Sequence, residues 1–314
     1  MLGAAKFDLL LVQLNNPVLM ISIVICSINE NLFKEVSVNI KKTIGTALFE
    51  IIRVDNNVEK LSIFEAYNKG GSLAKFPIIL FLHEDILFKS KKWGEILIKE
   101  FEQKELGLIG LIGAKYKSKV PSGWYADMST HFGHIFYNIG ESEQRLQYNY
   151  VQGIEEVVLV DGLFMATTKK VFDQCRFDTK TYKGFHFYDT DYSTTVASKK
   201  YKVVVTNKID VFHKSQGNVD GCFYESMMQY DKKWNMSLPL SVLAKNEGQI
   251  NLKLEWYAFI RFTRLVIKFE EKLSDIIKVV FSQKPKEVSL LLFKFWIVLI
   301  VEIIKNRYGR IFSK

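Results

Sequence analysis

The sequence predicts an α/β protein whose central sheet is mostly parallel and is followed by a C-terminal helical extension. Over about the first ninety residues, short apolar runs alternate with longer amphipathic segments in the order β-α-β-α-β. Each apolar run ends in polar or acidic residues, namely Asn29 with Glu30, then Asp55, then Asp85. Because parallel strands end at the same edge of a sheet, we expect these clusters to line one ligand site.

The predicted central strand covers residues 78–82 and is followed at once by His83, Glu84 and Asp85. Five consecutive apolar residues suit a strand that is buried on both faces of a sheet. A carboxylate at the end of such a strand can bind a divalent cation, and the cation can bind a diphosphate. The alternative is an ordinary polar loop after a core strand, and this stretch alone leaves both interpretations open.

Strands are also predicted on either side of this one, at residues 20–26, 49–54, 108–112 and 156–160. Predicted helices cover residues 32–43, 62–75 and 91–102. Residues 114–152 break the pattern and predict loops with short antiparallel strands. Trp124 in this region either stacks on a sugar ring or simply fills a surface loop.

Two acidic residues, Asp189 and Asp191, lie in an aromatic segment further along the chain. If the segment is extended, their side chains point to the same side. If it opens a helix, they favour the positive end of the helix dipole instead. His213 follows another predicted strand, and a histidine there is either structural or a metal ligand.

Composition excludes several classes of protein. The three cysteines of this 314-residue chain are widely spaced, so a zinc site is disfavoured and a reducing cytosol is favoured. No glycine-rich dinucleotide motif or Walker lysine loop is present, and no secretory signal peptide is recognisable at the N-terminus. The net charge of +9 indicates an anionic partner. Nucleic acid is not the expected partner, because no nucleic-acid motif accompanies the charge.

Taken together, six motifs resemble those of family 2 glycosyltransferases of GT-A fold. They are ISIVICS at 21–27, IIRVD at 51–55, AYNKG at 66–70, FLHED at 81–85, VDG at 160–162 and FYDTD at 187–191. The likeness extends from Met20 to Trp234. It is greatest to the bacterial branch whose metal motif reads His-x-Asp instead of Asp-x-Asp.

The resemblance implies an inverting transfer of sugar from a nucleotide-sugar donor, with a UDP-sugar favoured, to a glycan or lipid-linked acceptor in surface glycan synthesis. It implies Mn²⁺ or Mg²⁺ bound by Asp85, to which His213 is a further candidate ligand. It makes Asp189 the catalytic base, with Asp191 as the alternative, and Trp124 an acceptor-binding candidate. The residues expected to bind the donor are Ser27, Asn29, Glu30, Asp55, Asn56, Asn68, Lys69, His83, Glu84, Asp161 and Gly162.

Two residues depart from the family pattern: His83 replaces the first acidic residue of the metal motif, and Tyr188 replaces a glutamate before the base. These departures keep open a non-catalytic nucleotide-sugar binding protein of the same fold. The Gln-x-x-Arg-Trp motif of processive synthases is absent, and residues 229–234 resemble it only faintly. We therefore expect single-sugar transfer and not polymer synthesis.

The transferase domain is predicted to cover residues 1–238 and the basic amphipathic extension residues 239–314. From residue 240 onward the chain has 14 Lys and Arg against 7 Asp and Glu. Residues 252–280 form a helix candidate with one basic and one apolar face, as expected at an anionic membrane surface. Residues 288–304 are apolar but contain Lys294 and Glu302, which disfavours a membrane span. The alternative for this tail is a helical cap or a dimer contact, so we expect a cytoplasmic protein with or without peripheral attachment to the inner face of the membrane.

Overall fold

The structure is a computed structural model that describes residues 20–123, 127–139, 142–215, 217–243, 248–270 and 272–283, together with residues 296 and 299. Its strands are β1 (Met20–Ser27), β2 (Leu48–Asp55), β3 (Ile78–His83), β4 (Ile86–Phe88), β5 (Leu106–Gly110), β6 (Ile112–Ala114), β7 (Tyr116–Lys117), β8 (His131–Ile139), β9 (Ser142–Gln147), β10 (Ile154–Val157), β11 (Leu159–Val160), β12 (Phe164–Thr168), β13 (Lys202–Thr206), β14 (Val211–His213) and β15 (Leu240–Ser241). Its α-helices are α1 (Glu30–Thr43), α2 (Asn56–Glu59), α3 (Ile63–Leu73), α4 (Trp93–Glu100), α5 (Lys169–Gln174), α6 (Tyr188–Ser198), α7 (Gly221–Trp234), α8 (Gly248–Phe269) and α9 (Leu273–Ser282).

The central sheet has seven strands in the order β10-β13-β5-β12-β3-β1-β2. Strand β1 pairs in parallel with β2 and β3, and β13 pairs in parallel with β5, whereas β12 is antiparallel to both of its neighbours. Five of the seven strands therefore run in one direction, which confirms the prediction of a mostly parallel sheet, and β10 and β12 are the two strands that run against them. Within the described residues, no α-helix lies between β5 and β12. The helical crossover that lets neighbouring strands run parallel is therefore missing there.

Strand β3 is buried on both faces, and residues 78–82 are at most 1% exposed. Ile79 and Phe81 belong to one core cluster, together with α3 residues such as Phe64. Ile78 and Leu80 belong to a second cluster, which includes the inner face of α1. Because side chains alternate along a strand, the continuous apolar run supplies both cores, as the sequence predicts.

A second sheet of six strands has the order β11-β6-β8-β14-β4, with β9 paired to β8. Two predicted strands, 108–112 and 156–160, each divide at a bend and contribute to both sheets. The turn between β3 and β4 also carries the chain from the first sheet to the second. The antiparallel pairing of β4 with β14 then places His213 opposite Ile86, directly after Asp85.

The C-terminal helices α8 and α9 pack on the α/β domain. Trp256, Phe259 and Phe262 of α8 are buried in the same core cluster as β1 and α3. The Glu255 carboxylate accepts hydrogen bonds from four groups of β7 and the residues after it, which are Tyr116 Oη, Ser118 Oγ and the amides of Lys119 and Val120.

The helix predicted over residues 252–280 is divided, because Lys272 is extended (φ −90°, ψ 130°) between α8 and α9. Arg264 and Lys268 are exposed on the outer side of α8, as its two-faced pattern predicts. In the part of the chain that the structure describes, we find no helix that is both long and apolar enough to cross a membrane. Apart from residues 296 and 299, the apolar stretch 288–304 lies outside the described residues.

Candidate functional site

The polar ends of β1, β2 and β3 lie at one edge of the central sheet. Strand register aligns Ser27 with Asp55 and Cys26 with His83. The turn that follows β3 carries Glu84 and Asp85 above the same edge. The repeated pattern of a strand followed by an acidic turn thus brings distant parts of the chain to one site.

Three side chains at this edge, His83, Asp85 and His213, form a group whose ligand atoms all lie within 4.8 Å of one another. Asp85 Oδ1 lies 3.4 Å from His213 Nε2 and 4.0 Å from His83 Nδ1. The other carboxylate oxygen of Asp85 accepts a hydrogen bond from the Ser215 amide at 3.1 Å. His83 was expected from the sequence to contact the donor, and the structure places it with the two metal-ligand candidates.

The protonation states of two side chains in this group, Asp85 and His83, suit cation binding. Burial alone would raise the pKa of Asp85. The hydrogen bond and charge of His213, together with the hydrogen bond from Ser215, instead hold this pKa well below its usual range. Burial lowers the pKa of His83, and the neighbouring His213 lowers it further. Burial would also lower the pKa of His213, but Asp85 raises it above its usual value. Near neutral pH the group therefore offers an ionised carboxylate and a neutral His83 imidazole.

Tyr188 forms a hydrogen bond with the far side of the His83 ring. Its hydroxyl lies 2.5 Å from His83 Nε2, and the tyrosine is only 4% exposed. Burial raises the pKa of Tyr188 well above its usual value, so the hydroxyl stays protonated. A Cβ at Gly162 would lie 2.0 Å from the Tyr188 hydroxyl, so the chain needs glycine there. The two residues that depart from the family pattern are therefore direct neighbours.

Asp189 lies at the first turn of α6, beside the group just described. Its carboxylate accepts hydrogen bonds from the amides of Gly162 at 3.1 Å and Thr190 at 2.7 Å. Burial, together with the nearby charge of Asp161, raises the pKa of Asp189 to about 7. A carboxylate with that pKa can accept a proton near neutral pH.

Asp191 is held in a different environment from Asp189. The alternative of an extended segment, with both carboxylates on one side, is wrong because the segment begins helix α6. The Asp191 carboxylate is 1% exposed and accepts hydrogen bonds from Lys233 Nζ at 2.8 Å, Trp234 Nε1 at 2.7 Å and Tyr182 Oη at 3.2 Å. These contacts fasten α6 to the end of α7, and they occupy the oxygens that a catalytic base would need.

The first loop of the site is held by its own acidic residues. Glu84 accepts hydrogen bonds from the amides of Ile28 at 3.2 Å and Asn29 at 3.1 Å. Asn29 caps α1, and Glu30 pairs with Arg53 at 2.5 Å. Three of the residues expected to bind the donor therefore have structural partners that fix the loop after β1.

The end of β2 is also organised by local contacts. Asp55 caps α2 and lies 3.6 Å from Arg53, while 42% of its side chain stays exposed. The side-chain amide of Asn56 forms two hydrogen bonds with the backbone of Leu61. Ser27 is buried, and its hydroxyl forms no hydrogen bond within the described residues. Asp55 is thus the residue of this group with a carboxylate open to solvent.

The other residues that were expected to bind the donor lie on helix α3 and directly after strand β11. On α3, the Asn68 side chain forms two hydrogen bonds with the backbone of Phe177, and Lys69 pairs with Glu59. Asp161 accepts a hydrogen bond from the Leu163 amide at 2.9 Å and lines a cavity beside His213. Trp124, the acceptor candidate, lies outside the described residues.

Sequence reasoning missed the contacts of Tyr188, Lys233, Trp234 and Ser215. Tyr188 drew attention only as a departure from the family pattern. The faint resemblance of residues 229–234 to a synthase motif was the one available signal for Lys233 and Trp234. Nothing in the sequence marks Ser215, whose amide reaches Asp85 only because β14 pairs with β4.

Comparison with known proteins gives one family. No curated protein sequence matches the chain. A solved structure titled "Crystal structure of GalNAc-T7 with UDP, GalNAc and Mn2+" aligns with 94% of this chain and 59% of its own, at 11% sequence identity and a TM-score of 0.49. The family model described as "Glycosyltransferase like family" matches residues 22–237, which is more than half of the chain. The protein therefore belongs to the glycosyltransferase-like family.

Proposed function

We propose that the protein is a GT-A-type glycosyltransferase that moves one sugar, with inversion, from a nucleotide-diphosphate sugar to a hydroxyl acceptor. The observation that carries the proposal is the meeting of the His83, Asp85 and His213 group with Asp189 at one sheet edge. One side of this site can hold a cation and a diphosphate, and the other can accept a proton. Membership of the family supports sugar transfer as the reaction.

The three side chains of the cation group fit a divalent transition metal. A carboxylate and two imidazoles form a mixed oxygen and nitrogen donor set. Mg²⁺ prefers oxygen ligands and keeps several waters, whereas imidazole is a better ligand for transition metals. We therefore favour Mn²⁺ over Mg²⁺, held by Asp85 with His213 and His83. When bound, such an ion supplies Lewis-acid stabilisation of the diphosphate leaving group.

The protein's own residues orient the donor. The nucleoside is assigned to the ends of β1 and β2, where the Asp55 carboxylate is open to solvent and can accept hydrogen bonds from a nucleobase. The loop after β1 is held by Glu84, so its backbone is preorganised before the donor binds. UDP is the favoured nucleotide because the sequence resemblance implies it.

Asp189 is assigned as the base that takes the proton from the acceptor hydroxyl. Its pKa of about 7 matches the task, because a base that is too weak or mostly protonated contributes little. Asp191 is assigned a structural role, since its oxygens already accept hydrogen bonds from Lys233, Trp234 and Tyr182. An inverting transfer is a single displacement without a covalent enzyme intermediate, in which the acceptor oxygen bonds to the anomeric carbon as the nucleoside diphosphate leaves. One carboxylate base for the acceptor proton is therefore sufficient.

The test is transfer by Asp189→Asn. We expect this variant to bind UDP with Mn²⁺ as the wild type does, and to lose about 10²-fold or more in sugar transfer. UDP release from a panel of UDP-sugars measures the loss, and calorimetry measures UDP binding. Asp173→Asn is the matched control, because Asp173 is an exposed residue of α5 whose carboxylate pairs with Arg176. Wild-type turnover by Asp189→Asn would refute the base assignment, and donor hydrolysis by the wild type distinguishes an enzyme from a non-catalytic binder.

We also propose that the C-terminal helices attach the protein to the cytoplasmic, anionic face of a membrane. Ile277 and Phe281 on α9 are 49% and 45% exposed. The ring centroid of Trp296 lies 5.7 Å from that of Phe281. Lys278 on the same helix and Lys272 just before it are exposed. An exposed apolar patch beside lysines is the combination that binds anionic lipid surfaces.

A further inference from the structure

A cavity of about 340 Å³ adjoins the cation group on the side of the second sheet. Four aliphatic and two tyrosine side chains line most of it: Ile112, Ile135, Leu146, Leu163, Tyr137 and Tyr148. Ile112, Ile135 and Leu163 are buried, whereas Leu146 and the two tyrosines are half-buried on the β8–β9 hairpin and the residue after it. The cavity thus has a fixed apolar floor and a wall supplied by the hairpin.

Polar side chains gather at one end of this cavity, where Asp161, His213 and Ser215 lie. Two of them are already engaged with the cation group, since His213 Nε2 lies 3.4 Å from Asp85 and the Ser215 amide donates to the same carboxylate. One oxygen of Asp161 accepts a hydrogen bond from the Leu163 amide. Apart from these three residues, the polar side-chain atoms of the lining are the hydroxyls of Tyr137 and Tyr148, and its other side chains are aliphatic.

The polar end of the cavity lies next to the proposed base. Gly162, directly after Asp161, donates its amide hydrogen to Asp189. The ends of β1 and β2, where the nucleoside is assigned, belong to the other sheet and lie beyond β3. The cavity is therefore on the acceptor side of the cation group, with its polar end toward the residue that must take the acceptor's proton.

We propose that this cavity is the acceptor subsite and that it takes an acceptor whose body is apolar, such as an aryl or alkyl group attached near the accepting hydroxyl. The inference rests on the proposed function and narrows its substrate class. The accepting hydroxyl lies at the Asp161 end, and the apolar body lies among Ile135, Leu146 and Tyr148. Burying a hydroxyl-rich body there would leave polar groups without partners, whereas an apolar body gains from leaving water.

Two glycosides that differ only in their apolar group test the inference: phenyl β-D-glucoside and methyl β-D-glucoside. Saturation-transfer NMR titrations use the full chain with UDP and Mg²⁺, a diamagnetic ion. We expect the phenyl compound to bind at least about tenfold more tightly than the methyl compound, because its ring is buried. The aromatic protons should receive the strongest saturation.

Leu146→Asp places a charge in the wall of the cavity and should abolish the preference for the phenyl compound. Leu146→Ala, which retains an apolar wall, should weaken the preference only in part, and it serves if the aspartate variant does not fold. Tyr150→Ala is the matched control, since Tyr150 is 72% exposed and does not line the cavity.

Equal binding of the two glycosides, binding of neither, or an undiminished preference in both Leu146 variants would overturn the inference. UDP binding with Mn²⁺, measured by calorimetry on the same protein preparations, separates the two levels of the argument. If UDP binds with the metal and the phenyl preference is absent, only the acceptor assignment fails. If UDP does not bind, the proposed function fails first.

Discussion

Removing a single oxygen atom, by Tyr188→Phe, tests whether the tyrosine orients His83 as a metal ligand. The ring would keep its packing, since it contacts Tyr67 and Phe64 at centroid distances of 5.6 Å and 6.4 Å. Only the hydrogen bond to His83 Nε2, at 2.5 Å, is lost. If His83 Nδ1 were to bind a cation, Nε2 would carry the hydrogen and donate a hydrogen bond to the tyrosine oxygen. That hydrogen bond would fix both the tautomer and the orientation of the ring.

Loss of such a partner costs about tenfold to hundredfold in metal affinity, or roughly 1.4 to 2.8 kcal/mol. Calorimetric titration with Mn²⁺ measures the affinity, and the visible spectrum of the Co²⁺ form reports a change in the ligand set. Tyr192→Phe is the matched control, because Tyr192 is buried on the same helix and its ring packs against Phe81 and Phe177. Equal Mn²⁺ affinity of the wild type and Tyr188→Phe, with unchanged thermal stability, would refute the positioning role.

Three further predictions concern the base, the anchor of α6 and the tail. Because the pKa of Asp189 is raised to about 7, kcat/KM should rise with pH up to about 7, and an acid limb centred near pH 4 would contradict this. The native state then holds more protons than the unfolded chain between about pH 4 and 7, so the free energy of unfolding falls as the pH rises through that range. Without metal, Asp189→Asn should therefore unfold at a higher temperature than the wild type at pH 8 but not at pH 4. Lys233→Met leaves the Asp191 carboxylate buried without its cation and should lower the free energy of unfolding by roughly 2 to 3 kcal/mol in urea denaturation, whereas an unchanged midpoint would mean the pair is not a structural anchor. Ile277→Asp combined with Phe281→Asp should lower binding to anionic phosphatidylglycerol vesicles at least about tenfold in flotation, while Val58→Asp, at an apolar residue that is even more exposed, should not.

The strands that border the donor side of the site could be predicted because their signals are local. The apolar run before His83 and the capping residue Asn29 each determine nearby structure without reference to the rest of the chain. The order of strand and acidic turn then implies a common sheet edge. Physical rules about parallel strands were sufficient for this half of the fold.

The contribution of the second sheet to the site could not be predicted from local patterns, because it depends on pairing between distant segments. His213 reaches Asp85 only through the pairing of β14 with β4, which no local pattern specifies. The direction of β12 depends on a connection without a helix, and the pattern of the first half of the chain gave no sign of it. Phe187 adopts a left-handed conformation (φ 69°) just before α6, which turns the two aspartates onto a helix instead of a strand. The sequence alone left that choice open.

The most direct test of the account is UDP binding, measured by calorimetry with and without Mn²⁺, for the wild type and for Asp85→Ala. The ionised Asp85 carboxylate lies between two imidazoles, so its removal should abolish the site where cation and diphosphate meet. We expect the wild type to bind UDP at least about tenfold more tightly with Mn²⁺ than without it, and Asp85→Ala to show no effect of the metal. Metal-independent binding by the wild type, or an Mn²⁺ effect that persists in Asp85→Ala, would contradict the central claim that these residues hold a nucleotide diphosphate through a cation.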